Sequence, residues 1–468
     1  MSVLTDIFFV CYGCNAELCR QKVQTAADAV HAGFDNFAPI PIGMLLKKIF
    51  RLLPIYILIL CAASCHKEEA ETPEPISPAA PAAPGQRTVL VYMAAQNSLG
   101  YDDFHRDDSL EIVKGAEALQ EGQSLMLFID DKTAPRLYAL RAGEEQPALV
   151  KRWADDANST AAATLAAVLE LMKVYCPAEE YGLVMWSHAD GWLPPTESAE
   201  VTPLSFGIDT GKNSLSSDNG TQMAVETIAQ TIKTAGLRFL YIFFDACLMQ
   251  CLEVDYALRE VTDLVIASPM AISAAGAYYT HQVRDGLFSP APEDIVDIYL
   301  ADVIDPAFKD DYDDYGVVLS AVRTAALEPL VSALRTALPA SLATGRRSAD
   351  LSTATNYHAY VRKYYYRPHY YDAAEALSAL LPDEAVRVPV LEALSQAVVR
   401  KAATPRYWIG PSDTTYQTVD LTTYSGVSLF VPQYIYTRNA KFTPYGDLNT
   451  LFQKAEWYSA AGWAQTGW

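Results

Sequence analysis

Basic residues are few in this chain of 468: 35 lysines and arginines face 56 aspartates and glutamates, for a formal net charge of −21. Attraction to phosphate needs a basic face, so this balance argues against a nucleic-acid or anionic-membrane binder. Cysteine is sparse as well. Of eight, only Cys176, Cys247 and Cys251 lie in the body of the chain, too few for a disulfide scaffold, and their odd number leaves at least one thiol free. Cys11-Tyr-Gly-Cys14 has no second pair at zinc spacing and only His31 nearby, so no metal site is assigned there. Long hydrophobic runs are also lacking near the amino end, where Leu52 to Leu60 falls short of the roughly 20 residues that cross a bilayer. What is plentiful is apolar and aromatic content, 51% and 11%. That excludes a disordered polyanion. At roughly 100–200 residues per domain, the length allows one large or two modest domains with a self-sufficient core.

The amino end reads as an export signal. From Met44, the basic residues Lys47, Lys48 and Arg51 precede the Leu52–Leu60 run, and the small residues Ala62-Ala63-Ser64 follow. Cys65 directly after them resembles the acylated cysteine of a bacterial lipobox, with Ala62 standing where a larger aliphatic is usual. Residues 1–43 precede this signal and read as an upstream extension from a start placed too early. Residues 66–86, with prolines at 73, 75, 78, 81 and 84 and several glutamates, predict an extended tether. The expected location is the bacterial cell envelope, as a lipid-anchored outer-membrane or surface protein whose membrane partner is reached through Cys65.

From residue 87 the pattern alternates. Five short apolar runs, at 88–94, 125–130, 181–186, 239–244 and 264–267, suit strands buried on both faces. Amphipathic stretches around 109–120, 160–174, 221–234 and 249–260 separate them and predict helices. A sixth strand is expected at 426–431, returning to the core from a largely helical region beginning at 291. The fold class is therefore α/β, with a mostly parallel central sheet of about six strands flanked by helices and a helical C-terminal extension. The tyrosines at 357, 360, 364, 365, 366, 370 and 371 mix with Arg362, Lys363 and Arg367. Such a cluster stacks on sugars or bases in some proteins, but in so acidic a chain it reads as a packed or interfacial surface.

Ligands of open α/β sheets bind beyond the carboxyl ends of the strands. After the 181–186 run comes Ser187-His188-Ala189-Asp190-Gly191-Trp192, and after 239–244 comes Asp245-Ala246-Cys247. A histidine and a cysteine thus fall at one sheet edge, as nucleophilic catalysis requires: imidazole as base, thiol as nucleophile. Cys247 is expected where the next helix begins, whose partial positive charge would favour thiolate. His66 lies in the tether, and His105, His281, His358 and His369 follow no buried strand.

These residues resemble a known family. Tyr181-Gly-Leu-Val-Met-Trp-Ser-His188 with Gly191-Trp192, and Phe244-Asp-Ala-Cys-Leu-Met249 with Glu253, are similar to the two signature blocks of the clostripain family, cysteine peptidases of caspase-like fold. Thr88–Ala95, Phe206–Asp209 and Ser425–Pro432 also resemble family blocks. The resemblance implies a catalytic core at 87–290, with Cys247 attacking the peptide carbonyl through a thioester acyl-enzyme and His188 handling protons. It implies an oxyanion held by the backbone N–H groups of Ala189 and Cys247, where Ala189 replaces a common glycine and resists positive φ. Gln96 stands where aspartate is frequent, and Pro269-Met270 replaces a commonly acidic or polar pair.

Specificity in the family is for Arg or Lys before the cut, and its acidic determinant maps onto Asp245, where a helix N-cap is the rival role. Autocleavage between the two blocks would fall at Lys212, the only basic residue between His188 and Lys233, in a segment (193–220) that reads as a loop. No cofactor is required for the chemistry. Calcium activation occurs in the family, but Asp310–Asp314 lacks EF-hand spacing and no site is assigned. The expectation is an endopeptidase acting on proteins or peptides after Arg or Lys. The alternatives are a transpeptidase on the same dyad and an inactive caspase-like binding lipoprotein.

Overall fold

The computed structural model describes residues 78–154, 156–193, 205–308, 315–342, 349–362, 365–408, 416–438, 440 and 446–468, with only the backbone described for 359–362, 365–368 and 416. The extension 1–43, the signal 44–65 with Cys65, the tether up to residue 77, and Asp310–Asp314 lie outside the described residues.

The five apolar runs become five parallel strands at the centre of one sheet: β1 (Gly85–Ala94), β2 (Gln123–Asp130), β5 (Ala178–Trp186), β8 (Phe239–Asp245) and β9 (Thr262–Ala267). Alternate residues enter two cores. Leu90, Tyr92 and Ala94 of β1 face one side, and Val89, Val91 and Met93 the other. This double burial is why the runs lack polar alternation. Helices α1 (Phe104–Ala116) and α5 (Asp294–Ile304) cover one face. The other is covered by α2 (Ala162–Tyr175), α3 (Val225–Thr234) and α4 (Leu252–Leu258).

The sheet is wider than its parallel centre. The antiparallel strands β3 (Arg136–Arg141) and β4 (Ala148–Arg152) extend it beyond β2, and β10 (Val318–Arg323) and β13 (Val398–Ala403) extend it beyond β9. The order is β13-β10-β9-β8-β5-β1-β2-β3-β4, nine strands.

Three expectations change. The strand expected at 426–431 is β16 (Ser428–Leu429), which pairs with β12 (Tyr365–Asp372) outside the central sheet; β10 and β13 supply the returning strands instead. The region after 290 is not purely helical. Besides α6 (Leu327–Leu342), α7 (Ala373–Leu380) and α8 (Glu384–Ala397), it contains the hairpin β11 (Asn356–Arg362)–β12 and the ribbon β14 (Arg406–Trp408)–β15 (Tyr416–Thr418). The tyrosine-rich segment is that first hairpin, because tyrosine suits a pleated, half-buried surface. Tyr357, Tyr370 and Tyr371 are buried, and Tyr357 Oη donates to Asp372 Oδ2 at 2.8 Å. Finally, 205–223 is not plain loop: β6 (Phe206–Asp209) pairs with β7 (Thr221–Met223).

Candidate active site

The register of the sheet aligns Met93 with Trp186 and Trp186 with Asp245, so the segments following β1, β5 and β8 emerge side by side at the carboxyl edge. His188 and Cys247 each lie two residues beyond the aligned pair Trp186–Asp245. Among the described residues no hydrogen bond joins them. His188 Nε2 instead meets Ser98 Oγ at 2.9 Å, and Ser98 Oγ donates to Asp218 Oδ2 at 2.8 Å. Since the one hydroxyl proton goes to the carboxylate, Ser98 accepts from Nε2–H, leaving Nδ1 as the unprotonated nitrogen. Asp218 Oδ1 also accepts from the Ser98 backbone N–H at 2.8 Å. Burial pulls the His188 pKa down, and the Asp218 charge partly opposes it.

Ala189 forms an antiparallel bridge with Phe206, through Gly207 N–H to His188 O (2.8 Å) and Asp190 N–H to Ser205 O (3.2 Å). Alternation along an antiparallel strand then turns the N–H of Ala189 away from β6. The positive φ that alanine would resist is not required here: among the described non-glycine residues only Asp103, Asp218 and Leu248 adopt one.

Cys247 departs from its expected setting. The helix after β8 starts only at Leu252, capped by Cys251, so Cys247 sits in a turn rather than at a helix N-terminus. Leu248, with φ +65°, bends the turn, and its N–H donates to Met270 O at 3.0 Å while Gln250 N–H donates to Ser268 O at 3.0 Å. Pro269-Met270 thus lies against the turn that carries Cys247. The Sγ of Cys247 accepts from Ile272 N–H at 3.4 Å. Burial nevertheless pushes its thiol up to about 11, so the helix-induced thiolate is absent from this state. The 425–432 block braces the same turn: Ser428 N–H donates to Gln250 O (3.0 Å) and Phe430 N–H to Glu253 Oε1 (2.9 Å).

Asp245 closes β8 and caps no helix, which removes the N-cap role. It is buried; its Oδ2 accepts from Ala277 N–H (3.0 Å) and Tyr279 Oη (2.9 Å), while Oδ1 has no hydrogen-bond partner among the described residues. Burial raises its pKa to about 6. Lys212 lies in an exposed turn between β6 and β7. His105 pairs with Asp131 (2.9 Å) and His281 with Asp302 (2.6 Å), both away from the dyad in contact partners. Sequence reasoning missed Ser98 and Asp218. Serine and aspartate in loops are common, and nothing local marks them as partners of a histidine 90 residues from one of them.

A sequence profile of the clostripain family (peptidase C11) matches residues 91–466. Among solved structures, a secreted C11 cysteine protease from Bacteroides thetaiotaomicron, in complex with an irreversible peptide inhibitor, matches with TM-score 0.66 and 25% identity, covering 81% of this chain and 99% of that one. An inactive zymogen C11 protease from Parabacteroides distasonis shares the fold, with TM-score 0.63 and 24% identity over 82% of this chain and 99% of that one. Among curated proteins, none matches. A parallel sheet that delivers a histidine and a cysteine to one edge, together with a profile match across most of its length, means that this chain belongs to the clostripain family and is a cysteine peptidase.

Proposed function

We propose that the protein is an exported endopeptidase that hydrolyses peptide bonds after Arg or Lys, with Cys247 as nucleophile and His188 as base. The observation that carries this reading is the β5–β8 register, which sets both residues two positions past the same aligned pair. In the reaction, Cys247 Sγ attacks the carbonyl carbon as His188 Nδ1 takes the thiol proton. That proton then passes to the departing amine nitrogen, leaving a thioester. His188 next deprotonates a water, which displaces the thiolate; the proton returns to sulfur and a carboxylic acid leaves. The N–H groups of Ala189 and Cys247 would hold the oxyanion, donors of a kind worth about 10²–10³ in rate. Ser98 and Asp218 orient His188, as the third group of such arrangements does.

Asp245 supports the basic preference. Its Oδ1 is a buried carboxylate oxygen without a partner among the described residues, and a guanidinium supplies donors for such an atom in matched geometry. The structure describes an uncut turn at Lys212, an exposed site that an enzyme of this specificity could cleave in a second copy or in itself. In this resting arrangement, Cys247 is protonated and turned to Ile272. Maturation by cleavage after Lys212 is therefore part of the proposal, as are attachment through Cys65 and location in the envelope, in line with the secreted neighbour. Calcium is included as an activator without an assigned site.

The test uses fluorogenic peptides ending in Arg, Lys or Asp, with and without calcium, on the chain and its Cys247→Ala variant, with mass spectrometry of the chain. Turnover of Arg or Lys peptides that disappears in the variant is expected, with a nick after Lys212. Turnover of Asp peptides would overturn the specificity, and activity surviving in Cys247→Ala would overturn the nucleophile.

A further inference from the structure

Three side chains that the proposed hydrolysis does not use converge behind the histidine segment. Asp190 lies two residues past His188, while His358 belongs to β11 and His369 to β12. One potential ligand atom from each lies within 4.8 Å of the others. Asp190 and His369 are buried, 5% and 0% exposed, and the two imidazole rings meet edge to face, 5.3 Å apart. His358 Nδ1 is buried and makes no hydrogen bond among the described residues. Buried polar atoms in native structures are nearly always satisfied, so such an atom calls for an explanation.

The chemistry of the set is informative. Two imidazoles and one carboxylate suit zinc and its late first-row neighbours, whereas calcium and magnesium take oxygen ligands. Ligands to zinc sit about 2.0–2.2 Å from the ion, so atoms already within 4.8 Å of one another need only modest side-chain rotation to close around one. The three residues come from β11, β12 and the segment after β5, which makes the cluster a junction between the tyrosine hairpin and the catalytic edge rather than a surface patch.

We propose that Asp190, His358 and His369 bind a single late first-row divalent cation, zinc(II) being the best fit, which clasps the β11–β12 hairpin to the segment carrying His188 and Ala189. A contact of the same kind is already present: Tyr370 Oη donates to Asp190 O. Gly191, at φ +65°, is wedged so tightly there that a Cβ would come 2.5 Å from Tyr370 Oη and 2.8 Å from Leu248 O. A cation on the Asp190 side chain would hold this short segment from its other side, next to the backbone N–H of Ala189. The inference rests on these three residues alone and stands apart from the reading of the nucleophile and its specificity.

The test uses the full chain carrying Cys247→Ala, which removes this thiol and any self-cleavage, stripped of metal with a chelator. Zinc(II) titration calorimetry is expected to give one equivalent per chain. Cobalt(II) is expected to give the visible bands of a tetrahedral nitrogen–oxygen site, with paramagnetically shifted imidazole N–H resonances from two histidines; zinc(II) should abolish both and calcium(II) neither. His358→Gln and Asp190→Asn, each in the same background, should weaken zinc(II) binding at least about tenfold while melting normally without metal. Absence of stoichiometric binding overturns the proposal, as does unchanged affinity in both variants or a cobalt(II) spectrum showing thiolate ligation. Should His358→Gln fail to fold, the imidazole resonances of the cobalt(II) form decide the matter, and their absence overturns the site.

Discussion

At the scale of single residues, the proposed chemistry turns on two hydrogen bonds. The first places Ile272 N–H on Cys247 Sγ. It stabilises negative charge on sulfur, but desolvation outweighs it and the thiol is pushed up to about 11. Because the pKa is raised, the neutral thiol is favoured over the whole physiological range, with about one thiolate in 10⁴ at pH 7. In the uncut chain, the iodoacetamide labelling rate of the Cys247 peptide, followed by mass spectrometry, should be slow at pH 7 and rise about tenfold per pH unit to pH 9. A fast, pH-independent rate would contradict a half-buried, protonated thiol. The second bond ties His188 Nε2 to Ser98 Oγ. Ser98→Ala frees the ring to turn, so kcat on Arg peptides should fall about ten- to a hundredfold. KM should hold, and Ser98→Thr should restore most of the loss. A change in KM with kcat intact would assign Ser98 to substrate binding instead.

At the scale of elements, the loop from Ser273 to Ala277 decides how Asp245 behaves. Gly276 holds φ +60°, and a Cβ there would come 2.6 Å from Asp245 Oδ2. Gly276→Ala should therefore cost about 1–3 kcal/mol from backbone strain and the clash together. The melting temperature measures the total, and combining the change with Asp245→Ala should recover the part due to the clash. Full additivity of the two changes would show that loop and carboxylate do not touch. The sequence around this element was informative about type and silent about contact. Asp245 was legible as an acidic residue at a strand end, and its two roles, pocket and helix cap, were equally compatible with that position. The late start of α4 at Leu252 removes only the helix cap. A helix boundary depends on where the turn 247–251 finds hydrogen-bond partners, and those partners, Ser268 and Met270, lie on the next strand's exit.

At the scale of the whole molecule, the sheet depends on the region after residue 290. Strand β10 covers the edge of β9 and β13 covers β10 in turn, and α6 and α8 contribute Leu330, Leu334 and Leu394 to the larger core. A chain ending at residue 290 would leave β9 as a bare apolar edge, a template for aggregation. We expect such a truncation to be insoluble or to lack cooperative thermal unfolding by circular dichroism. A soluble, cooperatively melting fragment would mean that the core at 87–290 is an independent domain.

By itself, the sequence determined the parallel strands and the family. Burial on both faces writes itself as unbroken apolar runs such as Val89–Met93, and the residues flanking His188 and Cys247 form long local blocks readable in one pass. Only the tertiary structure decided which residues hold those two side chains and in what state. Ser98 and Asp218 are 120 positions apart and leave no periodic mark. The protonation of Cys247 follows from how deeply its turn is packed, and β10 and β13 join the sheet from a region whose composition reads as helix. Local pattern records what each segment buries. Partnership across the fold is recorded only where the segments meet.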